Sequence, residues 1–237
     1  GSDEMIKGID ADSINVKGLG ELNAEEAFSI WVYDPKNKEG VPDHKIKTGL
    51  LVGEKLDGIP AVGGSSPNSI VAGNQYVFVS NGSNDCISVI DAKQHTLLKN
   101  INLELDPRLG NLKGVIPFGL AMDRDEKRLY VAEAGINAVA IINIADLSLK
   151  GHLPVGWFPS KLCVNPAQNK LIVANAKGFG SGPNAGPDYR SGPEGDYIGS
   201  LMKGSVTVLD IPADSALPQY TDRVRTNNFS FSPVTPR

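Results

Sequence analysis

Residues Ile116 to Gly156 read IPFGLAMDRDEKRLYVAEAGINAVAIINIADLSLKGHLPVG, and the order of that stretch decides the fold. A proline comes second and a short apolar strand follows it. The charged turn Asp123 to Lys127 leads to a strand over Leu129 to Ala132, which Glu133 ends. After a loop comes a third strand, Val139 to Asn143, and a fourth over Leu147 to Pro154. Runs this short, bounded by turn residues, have neither the length nor the 3.6-residue period of helices. A run such as AVAII, apolar at consecutive positions, suits a strand buried on both faces.

Two further segments have the same order. One starts at Ser66, SPNSIVAGNQYVFVSNGSNDCISVIDAKQHTLLKNINL, with its turn at Gly73-Asn74 and strands at Tyr76 to Ser80, Ile87 to Asp91 and Thr96 to Ile101. The other starts at Phe158, FPSKLCVNPAQNKLIVANAKG, and resumes with GSVTVLDIP at Gly204, giving strands at Leu171 to Ala174 and Val206 to Asp210. Pro67, Pro117 and Pro159 are equivalent, as are Asn81, Glu133 and Asn175. Repeats of about 40–50 residues, each a four-stranded antiparallel sheet, predict an all-β fold: a β-propeller, whose blades bury their faces against one another.

The expected organisation is a tag remnant (Gly1 and Ser2) and irregular segment over 1–25, blades over 26–212, and a helix or linker-like tail over 213–237. Phe28 to Asp34 and Lys45 to Val52 resemble the third and fourth strands of a blade entered midway, and residues 3–25 show no clear strand pair. Ala213 to Asn228 predicts a short amphipathic helix. The 237 residues supply about four to five blades, so the propeller is expected to be incomplete, with open blade edges that invite self-association.

Composition excludes several classes. A net charge of −4 is the wrong sign for a nucleic-acid partner. No apolar run approaches the ~18–20 residues of a membrane span. Two cysteines, Cys86 and Cys163, in apolar runs predict buried free thiols, with a bridge between neighbouring blades as the alternative, and no CxxC or HxxxH spacing suggests zinc. No GxxxxGK[ST] or GxSxG is present.

The motifs YVFVSN, LYVAEAGINAVAII and LIVANAKGFGSGPN resemble YVTN-type propeller repeats. The stretches KTGLLVGEKLDGIPAVGGSSPNSI, GHLPVGWFPSKL and NAKGFGSGPNAGP, with YIGSLMKGSVTVLDIP and QYTDRVRTNN, are similar to bacterial proteins that join a propeller to a C-terminal alkaline-phosphatase-like phosphoesterase domain. The resemblance covers residues 45 to about 228. It implies a periplasmic or extracellular protein, and a phosphoesterase partner domain whose metal ligands and nucleophile are not among these residues.

Strand order places one set of loops around the channel mouth. Asn81 to Asp85, Glu133 to Asn137 and Asn175 to Lys177 share that rim with Trp157 and Phe158. The candidate ligand site is therefore Asn81, Asp85, Glu133, Asn137, Asn175, Lys177, Trp157 and Phe158. Asn81, Glu133 and Asn175 are its candidate ligands for one divalent cation, Ca²⁺ above all, because hard cations take amide and carboxylate oxygens. The competing reading is that these residues cap strand ends and bond loop backbone. The long Gly178 to Lys203 loop is either a lid or a plain insertion. His44, His95 and His152 fall at strand edges or turns, without clustering, as surface or half-buried structural residues. Three functions follow: a non-catalytic scaffold or binding module for a small molecule or protein, a metal-dependent hydrolase of the propeller lactonase type, or an exported adhesion repeat protein.

Overall fold

The computed structural model describes residues 23–55, 64–110, 112–178 and 203–231 with their side chains, and the backbone alone at 4–7, 13–16, 56 and 59–60. β1 (Glu4–Lys7) and β2 (Ser13–Val16) pair antiparallel, correcting the expectation of no strand pair ahead of residue 25. Strands of four residues are too short to show a periodicity in sequence. β3 (Ser29–Val32) pairs with β4 (His44–Lys47), and β5 (Lys55–Leu56) with β6 (Ile59–Pro60).

The repeats become meandering sheets. β7 (Pro67–Ala72), β8 (Tyr76–Asn81), β9 (Cys86–Asp91) and β10 (Leu97–Asn102) form the first blade. β11 (Pro117–Met122), β12 (Arg128–Glu133), β13 (Ala138–Asn143) and β14 (Ser148–Pro154) form the second. β15 (Trp157–Asn165), β16 (Lys170–Gly178) and β17 (Ser205–Asp210) form a three-stranded third. A 3-10 turn, Asp214–Ala216, then leads into α1 (Leu217–Asn228), within the span where the sequence predicts a helix. The fold is nearly all-β, with four-stranded antiparallel sheets, and it is that of an incomplete β-propeller.

The core lies between blades. Phe78, Ile87 and Val89 of the first pack on Leu129, Val131 and Ile142 of the second. On its other face the second blade sets Tyr130, Val139 and Ile141 against Leu162, Leu171 and Val173 of the third. Ile30, Val32 and Ile46 of the β3–β4 half-blade cover Val77, Val79 and Ile90. Each inner strand is therefore apolar on both faces, as the sequence pattern requires.

β4 ends earlier than the expected Lys45 to Val52 strand. Gly49 takes a φ of +67° and turns its amide sideways to donate to Ser88 Oγ at 2.9 Å, while the Leu50 amide donates to Asn84 Oδ1. Side-chain acceptors of the first blade thus capture backbone that would otherwise continue the strand.

A second repeat of geometry sits where each blade begins. Ser66, Ile116 and Phe158, each just before the blade's proline, have φ near +50° (52°, 53° and 56°), and a register shift follows each proline. Proline disfavours a helical residue ahead of it and cannot donate to the ladder, so the bulge recurs with the residue that causes it.

At the outside of the second blade, α1 lies along β14. The His152 amide donates to Thr221 Oγ1 at 2.9 Å, and Asn228 Nδ2 donates to Ile136 O at 2.9 Å. Leu217, 1% exposed, enters the core between the second and third blades. The helix therefore covers an edge that would otherwise present unpaired backbone.

Candidate functional site

The equivalent residues Asn81, Glu133 and Asn175 end β8, β12 and β16, and all three are buried inside the sheets at 0%, 0% and 2% exposure. Each reaches across its own blade. Asn81 Nδ2 donates to Ser88 Oγ at 2.8 Å, and Ser88 Oγ donates onward to Asn100 Oδ1 at 2.7 Å. Asn175 Nδ2 donates to Thr207 Oγ1 at 2.9 Å, the residue equivalent to Ser88. In the second blade Ala140 stands at that position, and the longer Glu133 spans the gap to His152, Oε2 to Nδ1, at 2.7 Å.

The Glu133–His152 pair is the most perturbed titratable feature of the site. Burial pushes the Glu133 carboxyl upward, against the smaller pull of His152. Burial also opposes protonation of His152, but the Glu133 charge and hydrogen bond outweigh it and leave the imidazole raised. The two groups together hold protons more tightly than free side chains do. His152 is 1% exposed, which corrects its expected place at the surface or half-buried. His44 and His95, expected apart, have rings 4.6 Å apart.

Asp85 and Asn137 bond the next blade's first backbone turn. Asp85 Oδ1 accepts the Ile116 amide at 2.9 Å and Oδ2 accepts that of Gly114 at 2.7 Å. Asn137 Oδ1 accepts the Phe158 amide, also at 2.9 Å. These are latches between blades, and they fix the left-handed residues that precede Pro117 and Pro159. Lys177 sits with Nζ 5.0 Å from the centre of the Phe158 ring, a cation–π pair, and Phe158 in turn faces Phe118. Trp157 is half exposed. With Asn137 it lines a cavity of about 260 Å³ that Asn227 and Asn228 of α1 close from the other side.

Among the described residues no hydrogen bond or ion pair joins any two of Asn81, Glu133 and Asn175, and no group of three or more His, Cys, Asp or Glu side chains is placed to hold a metal. One oxygen of each, Asn81 Oδ1, Glu133 Oε1 and Asn175 Oδ1, is buried without a partner. Each is an oxygen of the kind Ca²⁺ accepts, and there is one in each blade. The Gly178 to Lys203 loop falls, apart from its end residues, outside the described residues, at 179–202.

Sequence reasoning missed His152 as the partner of Glu133. Its signal is a coupled exchange: Asn81, Ser88 and Asn100 in one blade against Glu133, Ala140 and His152 in the next. The expectation for cysteine also needs correction. Cys86 is buried, with its thiol pushed up to about 11 by burial, but Cys163 is exposed, on a face of the third blade that no described residue covers.

No family model matches the sequence, and no curated protein matches it. Among solved structures, the hydrazine synthase of Kuenenia stuttgartiensis aligns at 22% identity and a TM-score of 0.42, over 47% of this chain and 30% of its own. A protein of unknown function from Desulfotomaculum acetoxidans aligns at 15% identity and a TM-score of 0.39, over 50% of this chain and 37% of its own. A candidate 6-phosphogluconolactonase of Bacteroides fragilis aligns at 16% identity and a TM-score of 0.41, over 49% of this chain and 33% of its own. The chain thus spans about a third of the length of these structures.

Proposed function

We propose that this chain is a non-catalytic propeller segment, a rigid scaffold or binding module. The observation that carries the reading is the state of the loop residues: Asp85 and Asn137 hold the next blade's backbone, and Asn81, Glu133 and Asn175 bond within their own blades. The polar chemistry legible in the sequence works between and inside blades, and it stabilises the array. The resemblance of the repeat motifs supports the finer reading of a YVTN-type module that serves a phosphoesterase domain at the cell envelope. Among the described residues no helix is long and apolar enough to cross a membrane. The test is turnover: the purified chain is expected to hydrolyse neither a generic phosphomonoester nor a panel of lactones, with or without Ca²⁺. Chelator-sensitive hydrolysis would overturn the reading.

The three unpartnered oxygens favour a second reading, a divalent-cation site of the lactonase kind. In that case calcium calorimetry shows binding that Glu133→Gln weakens at least tenfold. Calcium binding unaffected by that substitution would remove Glu133 from the ligand set.

A further inference from the structure

The blades repeat closely enough that each face can be compared with its equivalents. Ile87, Val139 and Val206 occupy one position of the third strand, four residues before Asp91, Asn143 and Asp210. Val89, Ile141 and Val208 occupy another, and their cross-strand partners Phe78, Tyr130 and Ile172 are likewise equivalent. In the first two blades these third-strand residues are 0% exposed, because the next blade covers them. In the third blade Val206 is 66% and Val208 59% exposed. Ala174 and Cys163 beside them are exposed too, where Ala132 and Ala121 are packed. The third blade thus presents a blade-facing surface with nothing on it among the described residues.

Among the described residues the opposite end of the array is open as well. The β3–β4 half-blade uses Ile30, Val32 and Ile46 to cover the first blade. Strand alternation turns Trp31 and Tyr33 the other way. They are 42% and 48% exposed, their rings 6.3 Å apart. Each molecule therefore carries two different faces at the ends of a row of stacked sheets: an apolar one on the third blade, and one on the half-blade where Trp31 and Tyr33 stand beside Lys45 and Lys47.

We propose that the exposed face of the third blade docks the β3–β4 half-blade of a second copy of this chain, head to tail. The contact continues the blade-on-blade packing already seen twice within the molecule, so its occupant is a sheet stacked face to face on the same row. A face-to-same-face dimer would cover one of these faces and leave the other in water. A head-to-tail dimer that closes covers both, and heterologous contacts of this kind form rings when the rotation closes. Each copy contributes three blades and a half-blade, and two copies give six blades and two half-blades, within the roughly 4–8 blades that propellers use.

The experiment is sedimentation velocity on the purified full chain, with Cys163 as an internal reporter. Cys86 is buried, so a thiol reagent reads Cys163. The wild-type chain is expected to sediment at twice the monomer mass with Cys163 protected. Val206→Asp combined with Val208→Asp is expected to yield a folded monomer with a reactive Cys163, since both residues are largely exposed among the described residues. Trp31→Ser combined with Tyr33→Ser is expected to do the same from the other end. Mixing these two variants restores one intact interface and gives a dimer. A wild-type monomer with a freely reactive Cys163 at all concentrations would overturn the proposal. So would association that only one of the two variants disturbs, which is the mark of a symmetric contact. Loss of the β-sheet circular dichroism signal in either variant would show that its face is packed within the chain, and would overturn it equally.

Discussion

Glu133 and His152 lie 2.7 Å apart, fully buried, at the positions where the preceding blade carries the neutral Asn81 and Asn100. One blade therefore satisfies this layer with amides and a hydroxyl, and its neighbour with a titratable pair.

The pair makes stability depend on pH, and the sign follows from the shifts. Both groups are raised in the folded chain, so the folded state binds more protons than the unfolded one at any pH where they titrate. The contribution is fully present below the unfolded values, about 4.3 for Glu and 6.5 for His, and is lost as pH rises through the folded values. The urea midpoint is expected to fall as pH rises above those unfolded values. Transplanting the first blade's solution, Glu133→Asn with Ala140→Ser and His152→Asn, is expected to flatten that slope. Glu133→Gln alone breaks a buried pair and is expected to cost about 3–5 kcal/mol.

Asp85→Ala tests the latch between the first and second blades. The 3% exposed carboxylate accepts two backbone amides, and its loss leaves both donors without it. Each stranded donor costs about 1–3 kcal/mol. Denaturant titration is expected to show a loss of about 2–6 kcal/mol, with Asp85→Asn recovering part because it keeps one acceptor.

Gly119 tests how closely neighbouring inner strands approach. A Cβ there would meet Ser160 O at 2.6 Å and the Lys161 Cα at 3.0 Å, both backbone of the next blade. Gly119→Ala is expected to wedge β11 from β15 at a cost of about 1–3 kcal/mol. Faster amide hydrogen exchange is expected in β15, with β7 to β10 little changed.

Leu217→Ala tests the seat of α1. It removes a buried side chain from between two blades and is expected to cost about 2–5 kcal/mol. Thr221→Val keeps the volume and deletes the acceptor of the His152 amide, so exchange at that amide is expected to rise while the core holds.

The architecture was legible because it is written in period and punctuation. Pro67, Pro117 and Pro159 mark the blade starts, and the apolar third strands announce burial on both faces. The repeat also identified Asn81, Glu133 and Asn175 as equivalent, yet repetition along a chain does not say whether a position faces a channel or the inside of a sheet. Their partners come from strands that ladder pairing brings alongside, as with Ser88, Thr207 and His152, and no local spacing encodes that. Cys163 shows the same limit: its run reads as buried, and its exposure depends on whether a further sheet stands beside it. The β1–β2 hairpin was illegible because four-residue strands carry too little pattern.

The seating of α1 also sets how the array answers to pulling. The chain leaves β17 at the third blade, but its next anchored segment grips the second, through Thr221 at His152, Asn228 at Ile136 and Leu217 in the groove between. Tension applied beyond Asn228 is therefore carried first by the second blade, and the three-stranded third blade is shielded as a slack loop would be. A tether at this end would hold the array by one of its four-stranded sheets, so the three-stranded blade would not be the weakest link under load.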